Sequence, residues 1–331
     1  CSARLISVGE LVRDHVLNQL RRESAESLSA VAFESASDKI YAIDHSVETI
    51  LLPALVEELQ PIISFVLICE GVNEEKPLAF PKGTPIDSCQ ARLIIDPIDG
   101  TRPIMYNKRS AWWLAGLAPN RGAETSLLDI ELAVQVEIPT TRAALADVVW
   151  AVRGGGALGR TFNLITGESR EFRPGPSRAE TIRGGFASVF HAMPGGREIF
   201  AELEEELVGE LIGGLEESRT ALFDDQYLSS GGQLYELMSG HDRLLVDVRG
   251  LLYRKFQREG RPVGHACHPY DICTSLIAEE AGVEISDGYG RRLDAPLDTT
   301  SDVSWIGYAN KKIRAEVEPV LLRLLAKYGL I

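Results

Sequence analysis

The sequence predicts an α+β protein built in layers, with a change of pattern near residues 175–180. In the first half, apolar runs of strand length follow one another across connections too short for crossover helices, so this part of the sheet should be antiparallel. Beyond a Pro- and Gly-rich stretch at 173–177, strands and helices alternate, which favours a second sheet that is mixed and more parallel. A chain of 331 residues can form two packed subdomains, predicted here at 1–178 and 179–331.

The first half contains two predicted helices and five predicted strands. Apolar residues at three- and four-residue steps between Leu5 and Leu20 indicate a helix. A second helix is predicted over 46–59, where Pro53 should kink it or shift its start. Residues 71–90 are rich in Gly, Pro, Asn and Lys and predict a loop. Strands are predicted over 62–69, 93–96, 111–118, 128–138 and 144–152.

The second half is predicted to alternate between the two kinds of element. Its apolar runs of strand length and its segments with helical spacing follow one another after the stretch at 173–177. Strands are predicted over 181–189, 244–248 and 303–307, and helices over 197–208, 226–238, 272–281 and 311–327.

Charge and composition exclude several functional classes. The net charge is −14 and no basic face is visible, which argues against nucleic-acid binding. No apolar run reaches the ~18–20 residues that span a bilayer, so we expect no membrane association. Five scattered Cys residues do not form a disulfide framework and predict reduced thiols in a cytoplasm. Cys267, His268 and Cys273 lie close together, but their spacing matches no standard zinc pattern.

The segment Asp96-Pro97-Ile98-Asp99-Gly100-Thr101 follows a buried apolar strand. Alone, Asp99-Gly100 is typical of a tight turn. In the longer segment, two carboxylates three residues apart can point at one cation. Gly100 allows the backbone to approach an anion, and the Thr101 hydroxyl can orient a water.

Other acidic residues have two interpretations each. Glu70 follows the strand at 62–69 and is either a metal ligand or a surface carboxylate at a strand end. Asp44 and Asp271 precede predicted helices, where Asp is a favoured N-cap. His268 lies near Asp271, and a structural role is the simpler interpretation.

Four segments in order resemble the inositol monophosphatase superfamily, the lithium-sensitive sugar and nucleotide phosphatases. The signature is Asp-Pro-Ile-Asp-Gly-Thr at 96–101. The others are Ile-Cys-Glu-Gly at 68–71, Tyr-Ala-Ile-Asp with Val-Glu at 41–48, and Tyr-Asp-Ile with Glu-Glu-Ala-Gly at 270–282. The resemblance covers roughly residues 35–310, and the glycine-rich stretch at 153–157 also fits it. It implies an αβαβα sandwich of the sugar-phosphatase type.

The resemblance also implies a mechanism. The activity would be Mg²⁺-dependent phosphomonoester hydrolysis, by attack of a water that the metal activates, on a small phosphorylated polyol, sugar or nucleotide; a homodimer is expected. The N-terminal subdomain would carry most ligands of two or three Mg²⁺ ions, and the C-terminal subdomain would supply the last aspartate and substrate contacts. Catalytic roles fall to Thr101, Asp44 and Glu70, phosphate binding to Asp99, Gly100, Thr101 and Arg102, and metal binding to Glu70, Asp96, the Ile98 carbonyl, Asp99 and Asp271.

The chain also departs from the family pattern. Gly71 replaces a second glutamate, and Gly264 stands where inositol-recognising members carry a glutamate. Three cations follow the signature, at Arg102, Lys108 and Arg109. They either bind a second anionic group of the substrate or form a solvated basic loop. A catalytically weak member that acts as a binding or regulatory protein is the alternative function.

Overall fold

The computed structural model describes residues 1–34, 39–72, 77–213 and 220–331. Its elements stack as helices, sheet, helices, sheet, helices, which confirms the predicted α+β, αβαβα class. Two short strands, β1 (Val31–Glu34) and β2 (Lys39–Tyr41), form a separate antiparallel pair.

The first sheet has eight strands in the order β10-β9-β8-β7-β6-β5-β3-β4 within the described residues. Its pairs are antiparallel except β3 with β5, as the short connections predicted. Its strands are β3 (Phe65–Cys69), β4 (Leu78–Phe80), β5 (Ala91–Asp99), β6 (Ala111–Pro119), β7 (Leu132–Ile138), β8 (Leu145–Val152), β9 (Ala157–Asn163) and β10 (Ser169–Phe172).

The second sheet is mixed, in the order β11-β12-β14-β13. In the described part of the chain, β11 pairs with β12 in parallel and the other two pairs are antiparallel, so the parallel share exceeds that of the first sheet. Its strands are β11 (Phe186–Val189), β12 (Asp242–Asp247), β13 (Glu284–Asp287) and β14 (Trp305–Tyr308).

Helices cover both faces of both sheets. The longer ones are α1 (Ser2–Arg22), α3 (Ala42–Glu58), α5 (Arg197–Ile212), α6 (Ser230–Met238), α7 (Arg249–Arg258), α8 (Ser275–Ala281) and α9 (Lys311–Lys327), with short α2 (Ala25–Leu28) and α4 (Thr101–Met105). Helices α1 and α3 pack on the outer face of the first sheet, α6 and α8 lie between the sheets, and α5, α7 and α9 cover the second. Because β5 is covered on both faces, it is a nearly continuous buried run rather than an alternating one.

Several element boundaries differ from the sequence prediction. Helix α3 begins at Ala42 and runs through Pro53, so it starts four residues earlier than predicted. Helix α8 begins at Ser275 rather than 272, and α6 begins at Ser230 rather than 226. The predicted loop at 71–90 contains β4, with 73–76 outside the described residues.

Helix α7 and strands β9, β10 and β13 were not predicted. In α7, cations surround the apolar residues and hide the helical spacing. None of the described helices is long and apolar enough to cross a membrane. The two sheets come from residues 65–172 and 186–308. The division at 178/179 into two subdomains stays a prediction.

Candidate active site

A β-bulge at the end of β5 brings two aspartates to one face. Asp96 pairs with Leu114 of β6 and Asp99 pairs with Trp112, so three steps on β5 oppose two on β6. In a regular strand, residues three apart point to opposite faces, and one inserted residue cancels that alternation. The bulge is therefore the local reason that both carboxylates face the same point.

Gly100 then turns the chain into α4. Its φ is +98°, a left-handed value that favours glycine, and a Cβ there would lie 3.1 Å from the Cβ of Ser229. The backbone at Gly100 thus packs directly against the segment that precedes α6.

The N-terminus of α6 holds the carboxylate of Asp99. Oδ2 accepts hydrogen bonds from Ser229 Oγ at 2.7 Å and from the Gly231 amide at 2.6 Å, and Oδ1 accepts one from the Ser230 amide at 3.2 Å. Ser229 is also the N-cap of α6, with Oγ accepting from the Gly232 amide at 2.9 Å. Sequence reasoning missed these residues; the Ser-Ser-Gly-Gly run at 229–232 is the capping signal that could have found them.

Asp271 completes a triplet with Asp96 and Asp99. Carboxylate oxygens of the three residues lie within 4.8 Å of one another. Asp271 Oδ2 accepts from the His268 amide at 2.6 Å, in the turn before α8. Thr274 occupies the N-cap position of α8, without a capping hydrogen bond from its side chain, so the N-cap interpretation of Asp271 is wrong.

The ionised form of the triplet is electrostatically unfavourable, because its carboxylates face one another and two of them are buried. Burial, followed by repulsion from Glu70, Asp99 and Asp271, raises the pKa of Asp96 well above its usual range. Burial and then Asp271 raise the pKa of Asp99 to about 8, against the opposing hydrogen bonds from α6. Buried carboxylates that converge in this way fit a hard metal ion, so the triplet could hold one.

Glu70 and the backbone amide of Ile98 contact Asp96 of this triplet. The side chain of Glu70 hydrogen-bonds to Asp96. The Ile98 carbonyl oxygen lies 2.9 Å from Thr101 Oγ1.

The Thr101 hydroxyl also lies 2.8 Å from Asp44 Oδ1. A hydroxyl carries one proton and donates to one acceptor at a time, so donation to Asp44 leaves the Ile98 carbonyl oxygen available to another partner. Asp44 lies in the first turn of α3, where its Oδ2 accepts from the Tyr41 amide at 3.0 Å. Tyr41 is the N-cap of α3, so Asp44 is not the N-cap but supports the cap from the third helical position, and it also contacts Thr101.

All of the predicted site residues line one cavity of about 570 Å³. It lies where the C-terminal end of β5, the start of α6 and the segment before α8 meet. The predicted residues along it are Asp44, Glu70, Asp96, Ile98, Asp99, Gly100, Thr101, Arg102 and Asp271. The structure brings them together, and their individual roles stay predictions.

The three cations of the basic loop after the signature occupy different places in the structure. Arg102 lines the cavity, whereas Lys108 and Arg109 are not among its lining residues. Arg109 instead donates to Asp225 at 2.7 Å and to Glu236 at 3.0 Å. Of the three cations, Arg102 is thus the one positioned to meet a ligand.

Gly264 also lines the cavity. A Cβ there would lie 2.5 Å from the Tyr253 hydroxyl, so this wall has no room for a longer side chain. Sequence reasoning missed Phe190, Arg249, Gln257 and Asp302 as cavity residues, because nothing local in the sequence signals their position.

A second group of potential ligands in the described chain is His191, Glu204 and Asp224. Glu204 accepts from the Val189 amide at 3.1 Å, and His191 Nδ1 lies 2.7 Å from the Val189 carbonyl. These contacts fix the end of β11. Neither potential ligand group in the described chain includes a cysteine.

The fold is shared with solved structures, although no family model and no curated protein sequence matches this chain. Fructose-1,6-bisphosphatase from Leishmania major superposes with a TM-score of 0.66 at 14% identity, over 98% of this chain and 93% of that one. The extragenic suppressor protein suhB from Bartonella henselae gives 0.63 at 16% identity, over 96% and 97%. Inositol monophosphatase II from Staphylococcus aureus gives 0.58 at 14%, over 99% and 97%.

These similarities show that the chain has the inositol monophosphatase and fructose-1,6-bisphosphatase fold. They confirm, at the level of the fold, the resemblance carried by the four sequence segments.

Proposed function

We propose that this protein is a Mg²⁺-dependent phosphomonoesterase acting on a small phosphorylated polyol, sugar or nucleotide. The observation that carries the proposal is the convergence of Asp96, Asp99 and Asp271 within 4.8 Å, beside Glu70, in a polar cavity. The fold of the solved phosphatases above supports the same class.

The residues that would hold two or three Mg²⁺ ions are oxygen donors. They are Glu70, Asp96, the Ile98 carbonyl, Asp99 and Asp271, and Mg²⁺ prefers such hard ligands. When bound, the metal would neutralise phosphate oxygens and lower the pKa of a water.

Thr101 and Asp44 would position the attacking water. Because the Thr101 hydroxyl donates its proton to Asp44 Oδ1, the lone pairs of its oxygen remain available to accept a hydrogen bond from that water. The Tyr41 amide holds the other oxygen of Asp44, so the orientation of the pair is fixed before substrate binds.

The decisive experiment is phosphate release from a panel of phosphate esters with and without Mg²⁺. Asp96→Asn should abolish release, because it removes one charge from the centre of the triplet. Retention of more than about a tenth of wild-type activity, which is only ~1.4 kcal/mol, would exclude Asp96 as an essential metal ligand. Binding of esters without turnover would favour the alternative of a non-catalytic binding protein.

The substrate should carry a second anionic group. Arg102 lines the cavity, and guanidinium groups bind carboxylate and phosphate oxygens in a bidentate way. Gly264 offers no carboxylate to the hydroxyl groups of inositol. We therefore expect fructose 1,6-bisphosphate or adenosine 3′,5′-bisphosphate to exceed inositol 1-phosphate in kcat/KM, and Arg102→Ala to remove that advantage. A wild-type preference for inositol 1-phosphate would refute this. Cytoplasmic location and a homodimer stay predictions.

A further inference from the structure

Arg249 is a buried cation in the wall of the cavity, at the first position of α7. It is 6% exposed, and its guanidinium grips Asp247 at the end of β12. Nε donates to Oδ1 at 2.8 Å and Nη2 donates to Oδ2 at 2.6 Å. This forked pair is buried, with Asp247 fully inaccessible, so the carboxylate cancels the arginine charge where it faces the cavity.

The same guanidinium joins two other segments of the wall. Nη1 donates to the His265 carbonyl at 2.9 Å, and the guanidinium carbon lies 4.6 Å from the centre of the Phe190 ring. Phe190 and His265 both line the cavity. One side chain therefore ties the end of β11, the end of β12 and the loop at 259–266 to one another.

Among the described residues of helix α7 and of the loop at 259–266, none that lines the cavity is a carboxylate; Asp302, which packs against Gly250 of α7, lines the cavity from a neighbouring segment. Helix α7 and the loop at 259–266 contribute amide, imidazole and apolar groups to the cavity. The residues that contribute them are Gln257, Val263, Gly264, His265 and Ala266. The Tyr253 hydroxyl lies against Gly264, so no side chain fits at that position. Such a surface suits the uncharged part of a ligand better than a second anion.

We propose that Arg249 is a positioning residue for substrate specificity. It fixes the wall formed by Phe190 and the loop at 259–266, and its pairing with Asp247 keeps that wall neutral as a subsite for the alcohol part of the substrate. The inference rests on the proposed function, because only a phosphate ester has such an alcohol part. Selection for a second anion then falls to Arg102 on another part of the cavity.

The test compares Arg249→Met and Asp247→Asn with Arg254→Met as the matched control. Arg254 is on the same helix but is exposed and lines a different groove. The substrates are glycerol 2-phosphate, with a neutral alcohol, and fructose 1,6-bisphosphate, with a second anion.

Arg249→Met should raise KM for glycerol 2-phosphate at least ~10-fold with kcat within about threefold, the pattern of lost binding rather than lost chemistry. Asp247→Asn should instead favour the bisphosphate over glycerol 2-phosphate. It unmasks the arginine charge, so the kcat/KM of the bisphosphate relative to glycerol 2-phosphate should rise at least ~10-fold. The control should match the wild type.

A readout without activity is amide hydrogen exchange. Exchange over 259–266 should accelerate in Arg249→Met and stay unchanged in Arg254→Met. If Arg249→Met does not fold, Arg249→Lys keeps the charge but loses the fork, and should raise KM to an intermediate value.

Parallel changes for both esters in the Arg249 and Asp247 variants would overturn the inference, since a merely structural pair alters both substrates alike. If the wild type releases phosphate from neither of these esters nor from any other ester of the panel, the proposed function fails. Calorimetric binding of fructose 1,6-bisphosphate then still decides the role of Arg249: tighter binding to Asp247→Asn than to the wild type supports it, and equal or weaker binding refutes it.

Discussion

Replacing Ser229 with alanine tests whether the start of α6 supports the metal site. The hydroxyl makes two contacts: it donates to Asp99 Oδ2 at 2.7 Å and accepts from the Gly232 amide at 2.9 Å. Ser229 is buried, so water cannot replace either contact without rearrangement. The substitution therefore removes a helix cap and a donor to a predicted metal ligand at once.

The two losses have different magnitudes. Losing the N-cap should cost ~1 kcal/mol of folding stability. Losing a hydrogen bond to a charged group is worth ~1.5–3 kcal/mol when the carboxylate is ionised. A partner that orients a metal ligand typically contributes ~10–100-fold in metal affinity. Where Asp99 is ionised, we expect a loss of about 2.5–4 kcal/mol in stability from these two contacts together, and a Mg²⁺ requirement raised ~10–100-fold.

The assay pairs urea denaturation without metal with Mg²⁺ titration of phosphate release. Asn310→Ala is the matched control, because Asn310 caps α9 through the Lys312 and Ile313 amides and is not among the cavity residues. It should lose ~1 kcal/mol through the cap and ~0.5–1.5 kcal/mol for each hydrogen bond that Asn310 donates to the Ser177 and Ala179 carbonyls, and it should keep the wild-type Mg²⁺ requirement. If Ser229→Ala behaves like this control, α6 does not support a metal ligand and the assignment of Asp99 is in error.

Four further predictions follow from the structure. Thr101→Val should lower kcat by ~10²–10⁴ while metal binding, measured by calorimetry, persists, and Asp44→Asn should not lower kcat further in that background, since the two act as a pair; additive losses would separate them. Gly264→Ala should destabilise by ~1–3 kcal/mol through its contact with the Tyr253 hydroxyl, and by less than half of that in Tyr253→Phe, as a double-mutant cycle in urea would measure. Burial, then Glu236 and Asp225, raises the pKa of Asp242 to about 7. Because the folded state binds that proton more tightly than the unfolded chain does, its stability should fall as pH rises from about 4 to 7, by no more than ~4 kcal/mol, and Asp242→Asn should flatten the curve over that same range; an unchanged slope contradicts this. Lithium should inhibit phosphate release at low Mg²⁺, as the family resemblance implies, and full activity in high lithium would count against a second metal site.

Local patterns predicted the main elements where packing agrees with them. The spacing between Leu5 and Leu20 matches α1, and the apolar run before Asp96 matches β5. The predictions failed where tertiary contacts decide the boundary. The sequence predicted a helix from residue 226. In the structure, Tyr227 accepts a hydrogen bond from Trp112 and Ser229 donates one to Asp99. Because these contacts hold residues 226–229 outside the helix, α6 begins at Ser230.

The sequence alone determined which oxygen donors are available and that Asp96 to Thr101 follow a buried strand. These are local properties, since residue type and short-range spacing carry them. The tertiary structure decided which donors converge. The bulge that turns Asp96 and Asp99 to one face depends on the register with β6, and the support of Asp99 comes from Ser229, 130 residues away. Contacts at such separation leave no periodic signal, because they arise only when the helices between the two sheets pack against both.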